Sequence, residues 1–374
     1  MDVYEKAREF AEEFILPLAK RCDDEGIFPE EAFREMGKQG YLKLIVPEEY
    51  GGYGKGLVEH SEVCRAFSKS CSTAGLCYMM HNVALIAILT NGSEELKEKI
   101  CRDIVENNKF LALAYSEFGT GTHFYKPEIE TEFVGDKVIF NGVKSMVTSA
   151  NFASYYLVIA PSENKDEIDN WIFPLETEGL SFEEGKWHGM GMRGNVSCPM
   201  VLKNAVLTKD MRIGNPGSGI NQVFNSVAIY FIEGLASVYT GLCENVLAEA
   251  VKHSKERKYP NDGGLYKIER IQVHLAKIFT MTNACIYATK EGARAGAENE
   301  PDALEKILSA RILASESAIE TARLGMRVGG GKAYNRQGCM ERLVRDAYAG
   351  QIMAPSVDVL VTWLGKTVTG QPIL

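Results

Sequence analysis

The spacing of apolar residues changes twice along this 374-residue chain, and this change limits the folds that the chain can adopt. In residues 1–110, apolar side chains recur at helical spacing, as at Phe10 and Phe14. Residues 111–214 contain short apolar or alternating runs between turn residues, which are typical of β-strands. Helical spacing returns in residues 215–374. The sequence therefore predicts an α+β fold with an N-terminal helical domain, a central antiparallel β-barrel-like domain and a C-terminal helical domain, a bundle.

Turn-forming residues give two sharper local predictions. Residues 128–133 and 137–143 alternate in polarity on either side of Val134-Gly135-Asp136, which predicts a β-hairpin. In the C-terminal region, the triplet Gly329-Gly330-Gly331 is expected to end the last of three long helices. Two shorter helical stretches are expected after it.

Charge and cysteine content argue against several classes of protein. The net charge of -9 does not suit a surface that binds nucleic acid or an anionic membrane. The most apolar run, residues 83–89, is too short to span a bilayer. The 9 cysteines form no C-x-x-C pair and no secretory signal is recognisable, so we expect a cytoplasmic protein with free, mostly buried thiols. The 6 histidines never stand at H-x-x-x-H spacing, and we expect no metal site.

A glycine-rich loop over residues 114–123 is the first candidate binding element. It contains Tyr115, Ser116, Gly121 and Thr122. Its backbone N–H groups and hydroxyls can surround an anion or the polar edge of an aromatic ring system. The simplest alternative is an ordinary turn between two elements.

Residues 142–149 form the second candidate and contain Met146 and Thr148. Taken alone, this segment predicts a strand, a turn and another strand, with Thr148 as an ordinary β residue.

Two further candidates lie in the C-terminal region. Arg257 stands in the basic last turn of a long predicted helix, where its charge suits the helix dipole and its planar guanidinium also matches phosphate oxygens. Arg327 precedes the glycine triplet, whose simplest role is to end the helix.

Taken in order, these motifs resemble those of the acyl-CoA dehydrogenase superfamily, whose members are FAD enzymes. Residues 341–352 also resemble the superfamily's C-terminal signature. The resemblance implies an acyl-CoA dehydrogenase-like fold and a shared cofactor, with Arg257 reaching the FAD pyrophosphate of a neighbouring subunit. It implies FAD-binding positions at Tyr115, Ser116, Gly121, Thr122, Met146, Thr148, Arg257, Glu269, Arg327, Gly330, Gly331, Ser356 and Asp358.

The catalytic carboxylate of the superfamily has no counterpart at its usual position. Ala354 stands where the common members carry the glutamate that removes the α-proton of the acyl thioester, and a methyl group cannot accept a proton. Some members carry this glutamate on the first long C-terminal helix, at the position of Phe231. Glu233 lies two residues further on, and two residues turn a helix by about 200°. Glu233 is therefore expected to face away from the site, and acts as the base only if the register differs.

The tail from residue 353 is similar to a branch that acts on acyl groups tethered to acyl carrier protein in polyketide and peptide pathways. The resemblance implies FAD-dependent oxidation of a carrier-linked C3 aldehyde hydrate to a malonyl-type unit, such as aminomalonyl or hydroxymalonyl. It also implies three partners: the phosphopantetheine-linked carrier protein, an electron acceptor that reoxidises the flavin, and further copies of the chain in a homodimer or tetramer.

Other functions remain open at this point. The chain resembles an α,β-acyl-CoA dehydrogenase if Glu233 is a relocated base. A flavin monooxygenase on the same fold also needs no such glutamate. A flavin-binding scaffold without turnover, or a DNA-associated relative, is a further alternative, although the acidic charge counts against DNA. We expect neither a nucleic acid nor a membrane as a partner.

Overall fold

The computed structural model of the protein describes residues 2–121, 123, 125–260 and 263–373. Over these residues, helices occupy both ends of the chain and strands occupy the middle. The predicted α+β order is confirmed.

The N-terminal region consists of helices that pack their apolar faces together. Pro17 has no N–H to donate to a helical hydrogen bond, and a π-turn and a 3₁₀ turn occupy this position between the first two helices. The helices are α1 (Val3–Phe10), α2 (Ala19–Glu25), α3 (Glu30–Lys38), α4 (Leu57–Ser70), α5 (Ser72–Asn91) and α6 (Glu94–Asn107).

Two four-stranded sheets form the middle region. One has the strand order β1-β4-β5-β8 and the other β2-β3-β7-β6. The predicted hairpin is confirmed, because Val134 at the end of β2 pairs with Lys137 at the start of β3. The strands are β1 (Leu111–Ala114), β2 (Glu130–Val134), β3 (Lys137–Val147), β4 (Tyr155–Pro161), β5 (Ile168–Pro174), β6 (Leu180–Phe182), β7 (Cys198–Thr208) and β8 (Arg212–Ile213).

The pairing of β1 with β4 departs from the antiparallel prediction, because these two strands run parallel. A parallel pair needs a long connection between its strands. Residues 115–154 provide this connection, which contains the glycine-rich loop and the β2–β3 hairpin. The parallel pair thus places the start of that loop at the edge of the first sheet.

Long helices form the C-terminal region. Gly330 adopts φ 54° and ψ −141° inside the third of these helices, a conformation that favours glycine, so the helix is broken where the glycine triplet predicts. It resumes for one more turn. The elements are α7 (Gly219–Gln222), α8 (Ala228–Glu256), the short strands β9 (Lys258–Tyr259) and β10 (Gly263–Gly264), α9 (Glu269–Ala297), α10 (Ala303–Tyr334), α11 (Met340–Ile352) and α12 (Val357–Val368).

One hydrophobic core joins the three regions. Phe67 of α4, Trp171 of β5 and Tyr239 of α8 belong to the same buried cluster. The helix α5 and the helical segment 219–256 are long and apolar enough to cross a membrane, but 83% and 78% of their most apolar windows are buried inside the protein. Their apolar surface is used for packing in this core.

Candidate active site

A cavity of about 640 Å³ opens where the three regions meet. Its wall combines α5, the glycine-rich loop after β1, the end of β3, the segment before β7, the start of α8 and the end of α11. Because all three regions contribute side chains, the cavity exists only when they are packed together.

Many of the predicted site residues meet in this cavity. Both short motifs of the middle region reach it, as does the segment that follows α11. Thr122 was also predicted, and it lies outside the described residues. The predicted residues on the wall are Tyr115, Ser116, Gly121, Met146, Thr148, Ala354 and Ser356.

The other predicted cofactor residues lie elsewhere on the described surface. Asp358 is exposed in the first turn of α12. The remaining five lie at the C-terminal end of α8, the start of α9 and the end of α10. They are all exposed, and they are Arg257, Glu269, Arg327, Gly330 and Gly331.

The α9–α10 surface around these residues is basic. Burial, and then the positive charges of Arg327, Arg270, Lys277 and Arg323, hold the pKa of His274 below its usual value. The structure therefore places Arg327 in a group of cations, although it does not bring this group to the cavity of the same chain.

A buried ion pair holds the glycine-rich loop against β3. Lys144 and Glu117 are paired with their side chains 0% and 2% exposed, and Lys144 Nζ also donates to the Ile159 carbonyl oxygen at 2.6 Å. The other carboxylate oxygen of Glu117 accepts from the backbone N–H groups of Glu128 at 2.6 Å and Ile129 at 3.2 Å. Burial lowers the pKa of Lys144 to about 8, against the opposing effect of Glu117. Both hydrogen-bonding oxygens of Glu117 are thus engaged.

The end of β3 turns its side chains into the cavity. Ser145 N donates to the Ser116 carbonyl oxygen at 2.8 Å, which joins the strand to the loop. The strand pairing is irregular between Lys144 and Val147, and Met146 between them has φ 50°. As a result, the side chain of Met146 is 62% exposed at the cavity mouth.

The segment before β7 was not predicted as part of the site. A 3₁₀ turn ends at Asn195, and Met192 and Val196 on either side of this turn have φ 51° and 46°. Asn195 and Ser197 both line the cavity, and Ser197 Oγ lies 3.2 Å from Thr148 Oγ1. The Oδ1 atom of Asn195 is buried and has no hydrogen-bond partner among the described residues.

The helix α11 fixes the opposite wall. Met192 N donates to Asp346 Oδ1 at 2.6 Å, and burial raises the pKa of Asp346 to about 6. Arg345 donates to Asp23 Oδ1 at 2.8 Å and to the Met190 carbonyl oxygen at 3.0 Å. These contacts tie the helix to the segment before β7, and the chain then enters the cavity wall at Ala354.

The described part of the wall presents no free carboxylate. Glu117 is its only acidic residue, and it is paired with Lys144. On α8, the wall carries Phe231 and Ile232.

The structure does not bring Glu233 to the cavity. Its side chain is fully buried between α4 and α9, where Ser61 Oγ donates to Oε1 at 3.3 Å and Oε2 lies close to Gly292. Burial raises the pKa of Glu233 well above its usual value, which favours the protonated carboxyl group. The physical reason is helix geometry, because a residue two positions beyond Phe231 projects from a different face.

Helical and β regions around one cavity form the fold of a class of flavin-dependent oxidoreductases. Comparison with known proteins leads to the same class. The sequence matches the acyl-CoA dehydrogenase N-terminal domain over residues 2–108, the middle domain over residues 112–205 and the C-terminal domain over residues 234–368. The chain belongs to the acyl-CoA dehydrogenase superfamily, whose members use FAD.

Individual relatives cover nearly the whole chain. The chain is 29% identical to a 3-(aryl)acrylate reductase of Clostridium sporogenes, over 91% of this chain and 90% of that protein. A chain from work on the electron transferring flavoprotein of Acidaminococcus fermentans is 26% identical, with a TM-score of 0.92 over 98% of this chain and 96% of that one. FkbI, for biosynthesis of a methoxymalonyl extender unit, has a TM-score of 0.88 over 99% of this chain and 100% of its own. At 18% identity, it shows the fold alone.

The chemistry of the cavity wall fits FAD. A flavin has a flat, largely apolar ring system with polar atoms along one edge. The exposed thioether of Met146 offers a soft apolar surface, and the hydroxyls of Ser116, Thr148 and Ser356 offer donors and acceptors. Residues of these types suit both parts of the ring system.

Proposed function

We propose that this protein oxidises a C3 acyl group that is tethered to an acyl carrier protein, converting an aldehyde hydrate into the carboxylate of a malonyl-type unit. Aminomalonyl and hydroxymalonyl thioesters are examples of such products in secondary-metabolite biosynthesis. When bound, FAD would supply the hydride acceptor for oxidation of the aldehyde-hydrate carbon. The accompanying proton comes from a hydroxyl group, and water can take it.

The absence of a free carboxylate on the described cavity wall carries this proposal. Ala354 and Phe231 occupy the two positions at which the resemblance places a catalytic glutamate, and Glu117 is held by Lys144. Removal of an α-proton from a thioester requires a positioned base, whereas oxidation of a hydrate does not. The wall therefore favours the second reaction.

The residues of the cavity would hold the redox-active end of the cofactor. Tyr115, Ser116, Gly121, Met146 and Thr148 are assigned to the flavin ring and its polar edge, with Ser356 on the opposite wall. Thr122 stays in this assignment as a prediction from the sequence.

The exposed predicted residues are assigned to the rest of the FAD of a second subunit. Arg257 and Arg327 supply positive charge for its phosphates, and the α9–α10 surface around Arg327 is already basic. Glu269, Asp358 and the Gly330–Gly331 backbone complete the assigned set. This arrangement requires a homodimer or tetramer.

The proposed partners follow from the chemistry. The substrate arrives on a phosphopantetheine arm, and an electron acceptor must reoxidise the flavin after each turnover. FkbI shares this fold and is described for the biosynthesis of an extender unit, which supports a carrier-linked substrate. We place the protein in the cytoplasm, where such carriers are loaded.

Anaerobic flavin reduction tests the proposal. The purified protein should be yellow, and a C3 aldehyde thioester on a carrier protein should bleach its absorbance. Butyryl-, octanoyl- and isovaleryl-CoA should not. Rapid bleaching by any of these three would overturn the proposal in favour of an α,β-acyl-CoA dehydrogenase, and Glu233→Gln would then show whether Glu233 is its base.

A further inference from the structure

Arg311 of α10 is a buried cation that forms no ion pair with any of the described residues. Its side chain is 0% exposed, and Nε and Nη1 have no hydrogen-bond partner there. Burial lowers the pKa of Arg311 to about 10, which leaves the guanidinium group charged at neutral pH. A buried charge without a counter-ion destabilises a fold, so such a group is rare unless its charge serves a function.

Arg311 lies directly behind the end of α11. Its Nη2 atom donates to the Gly350 carbonyl oxygen at 2.9 Å, and its guanidinium carbon lies 5.2 Å from the ring centroid of Tyr239. Gly350 belongs to the last turn of α11, in which Ala349 and Ile352 line the cavity. Arg311 does not line the cavity itself. One turn of helix therefore separates its charge from the cavity.

The charged residues of the described cavity wall are one cation and one anion, and both are paired. Arg345 pairs with Asp23, and Glu117 pairs with Lys144. Arg345 also stands about two turns before the end of α11. The carbonyl end of this helix carries a partial charge of about −0.5, which offsets part of the charge of Arg311. A net positive charge therefore remains behind this end of the wall.

A fixed charge acts across this distance because the protein interior screens it weakly. A helix is about 10 Å across. At that distance and an effective dielectric constant of about 20, a unit charge shifts an ionisation equilibrium on the order of tenfold. The segment that follows Gly350 enters the cavity wall at Ala354. A group bound beside Ala354 therefore loses a proton more easily than it does in the absence of Arg311.

We propose that the charge of Arg311 stabilises the oxyanion that forms when the aldehyde hydrate gives up its hydroxyl proton. The inference rests on the proposed function and deepens it. In that reaction the O–H bond breaks and its proton passes to water. The C–H bond then breaks, its electron pair leaves as hydride to oxidised FAD, and a C=O bond forms. A preorganised positive charge favours the first of these steps, so no base is required at position 354. Arg311 contacts neither substrate nor FAD and acts from behind the wall.

Binding of two pantetheine thioesters to the FAD-loaded protein tests this role without turnover. Malonyl-pantetheine carries a carboxylate that stands in for the oxyanion, and its amide analogue is neutral and has nearly the same shape. Their affinities are measured anaerobically from the perturbation of the flavin spectrum. Arg311→Met should lower the ratio of carboxylate to amide affinity by about tenfold. Arg311→Lys keeps a charge and should retain most of the ratio. A purely structural role would lower both affinities equally.

Two further variants separate the explanations. Arg311→Gln is neutral but keeps a donor for the Gly350 carbonyl oxygen, so it should lower the ratio as Arg311→Met does. It also provides a second neutral variant if Arg311→Met does not fold. Arg65→Met removes another buried arginine, which is 5% exposed and lies outside the cavity wall. This control should leave the ratio unchanged.

The outcomes are decisive in both directions. An unchanged ratio in the neutral variants would overturn the inference, and so would an Arg311→Lys variant that loses as much of the ratio as they do. The ratio is measured without oxidation of an aldehyde. If the carrier-linked aldehyde is not oxidised but the ratio still depends on the charge, the proposed function fails and the effect of Arg311 on a bound anion stands. The reverse result would overturn the role of Arg311 alone.

Discussion

Two buried carboxylates in adjoining regions have opposite surroundings. Glu117 lies at the cavity and faces Lys144 and two backbone N–H groups. Glu233 lies between α4 and α9 with one hydrogen bond, from Ser61, and its Oε2 has no partner among the described residues. Burial alone favours the neutral acid, whereas a buried cation favours the charged form. The comparison shows that burial near a predicted site does not by itself make a glutamate a catalytic base.

Breaking the Lys144–Glu117 pair should have the largest effect. Lys144→Met leaves a charge buried without its partner, and we expect the free energy of unfolding to fall by about 3–5 kcal/mol. Since Glu117 also holds the backbone N–H groups of Glu128 and Ile129 beside the glycine-rich loop, the FAD content should fall as well. Urea denaturation and the flavin-to-protein absorbance ratio measure the two effects.

Arg65→Met is the matched control for this variant. Arg65 is 5% exposed, and it pairs with Glu62 and, at 3.1 Å, with Glu244, away from the cavity wall. Its loss should lower stability while the folded fraction keeps its affinity for FAD. An equal loss of FAD affinity in both variants would contradict a specific role for the Lys144–Glu117 pair.

Glu233→Gln should stabilise the protein at neutral pH. The raised pKa of Glu233 means that the native state binds this proton more tightly than the unfolded state, in which the pKa is near the ordinary glutamate value of 4.5. The contribution of Glu233 to stability therefore falls by about 1.4 kcal/mol per pH unit above that value, until the native carboxyl group ionises. Unfolding curves at pH 5, 6 and 7 should show this decline in the wild type and a weaker decline in the variant.

Glu244→Gln should change the free energy of unfolding in the opposite direction, because Glu244 is paired with Arg65. It should lower stability at pH 7. If the free energy of unfolding of the wild type and of Glu233→Gln depended on pH in the same way, the carboxyl group of Glu233 would not be the buried acid described above.

The exposed cation Arg257 extends the comparison of the two buried carboxylates to a charged group on the surface. Arg257 is assigned to the phosphates of FAD in a second subunit, so Arg257→Ala should weaken FAD binding by about 1–3 kcal/mol, the scale of a lost charged hydrogen bond. Flavin fluorescence titration measures the affinity, and sedimentation should show a dimer or tetramer. Lys258→Ala, at the next exposed position, should bind FAD as the wild type does. Colourless, monomeric wild-type protein would argue against the shared cofactor.

Ala354→Glu places a third carboxylate, this time on the cavity wall. The added volume and charge should slow oxidation of the carrier-linked aldehyde at least tenfold, or about 1.4 kcal/mol. The restored base should also allow weak bleaching by butyryl-CoA. Ala354→Gln separates the two effects, since it fills the same space without supplying a base. Native turnover within about twofold of the wild type in both variants would mean that residue 354 does not face the substrate.

The element order was predictable from sequence because each element carries its own period of apolar residues. The parallel pairing of β1 with β4 was not, since strand partners distant in sequence leave no local pattern. The glycine triplet predicted the break at Gly330, because glycine, which has no Cβ, adopts a positive φ more readily than other residues.

The site was predictable only in part, because contacts between residues that are distant in sequence leave no local pattern. Lys144 follows Val138 and Phe140 on the inward face of β3, so the alternation of the strand could have shown that it is buried. Asn195 gave no such signal, because its place on the cavity wall depends on the packing of segments that are distant in sequence. The motifs thus located the cavity, and the packing identified the charges and acceptors within it.

The parallel β1–β4 pair also has a consequence for engineering. It closes residues 115–154 into a loop whose ends are fixed by the sheet, with the Gly135-Asp136 turn at the tip of its hairpin. The entropy of closing a loop grows only with the logarithm of its length, so lengthening the two-residue turn between Val134 and Lys137 by ten residues costs about 1.6 kcal/mol. Gly135 has open space around it and does not line the cavity. An affinity or fluorescent tag can therefore be inserted at this turn while the cavity wall keeps its shape.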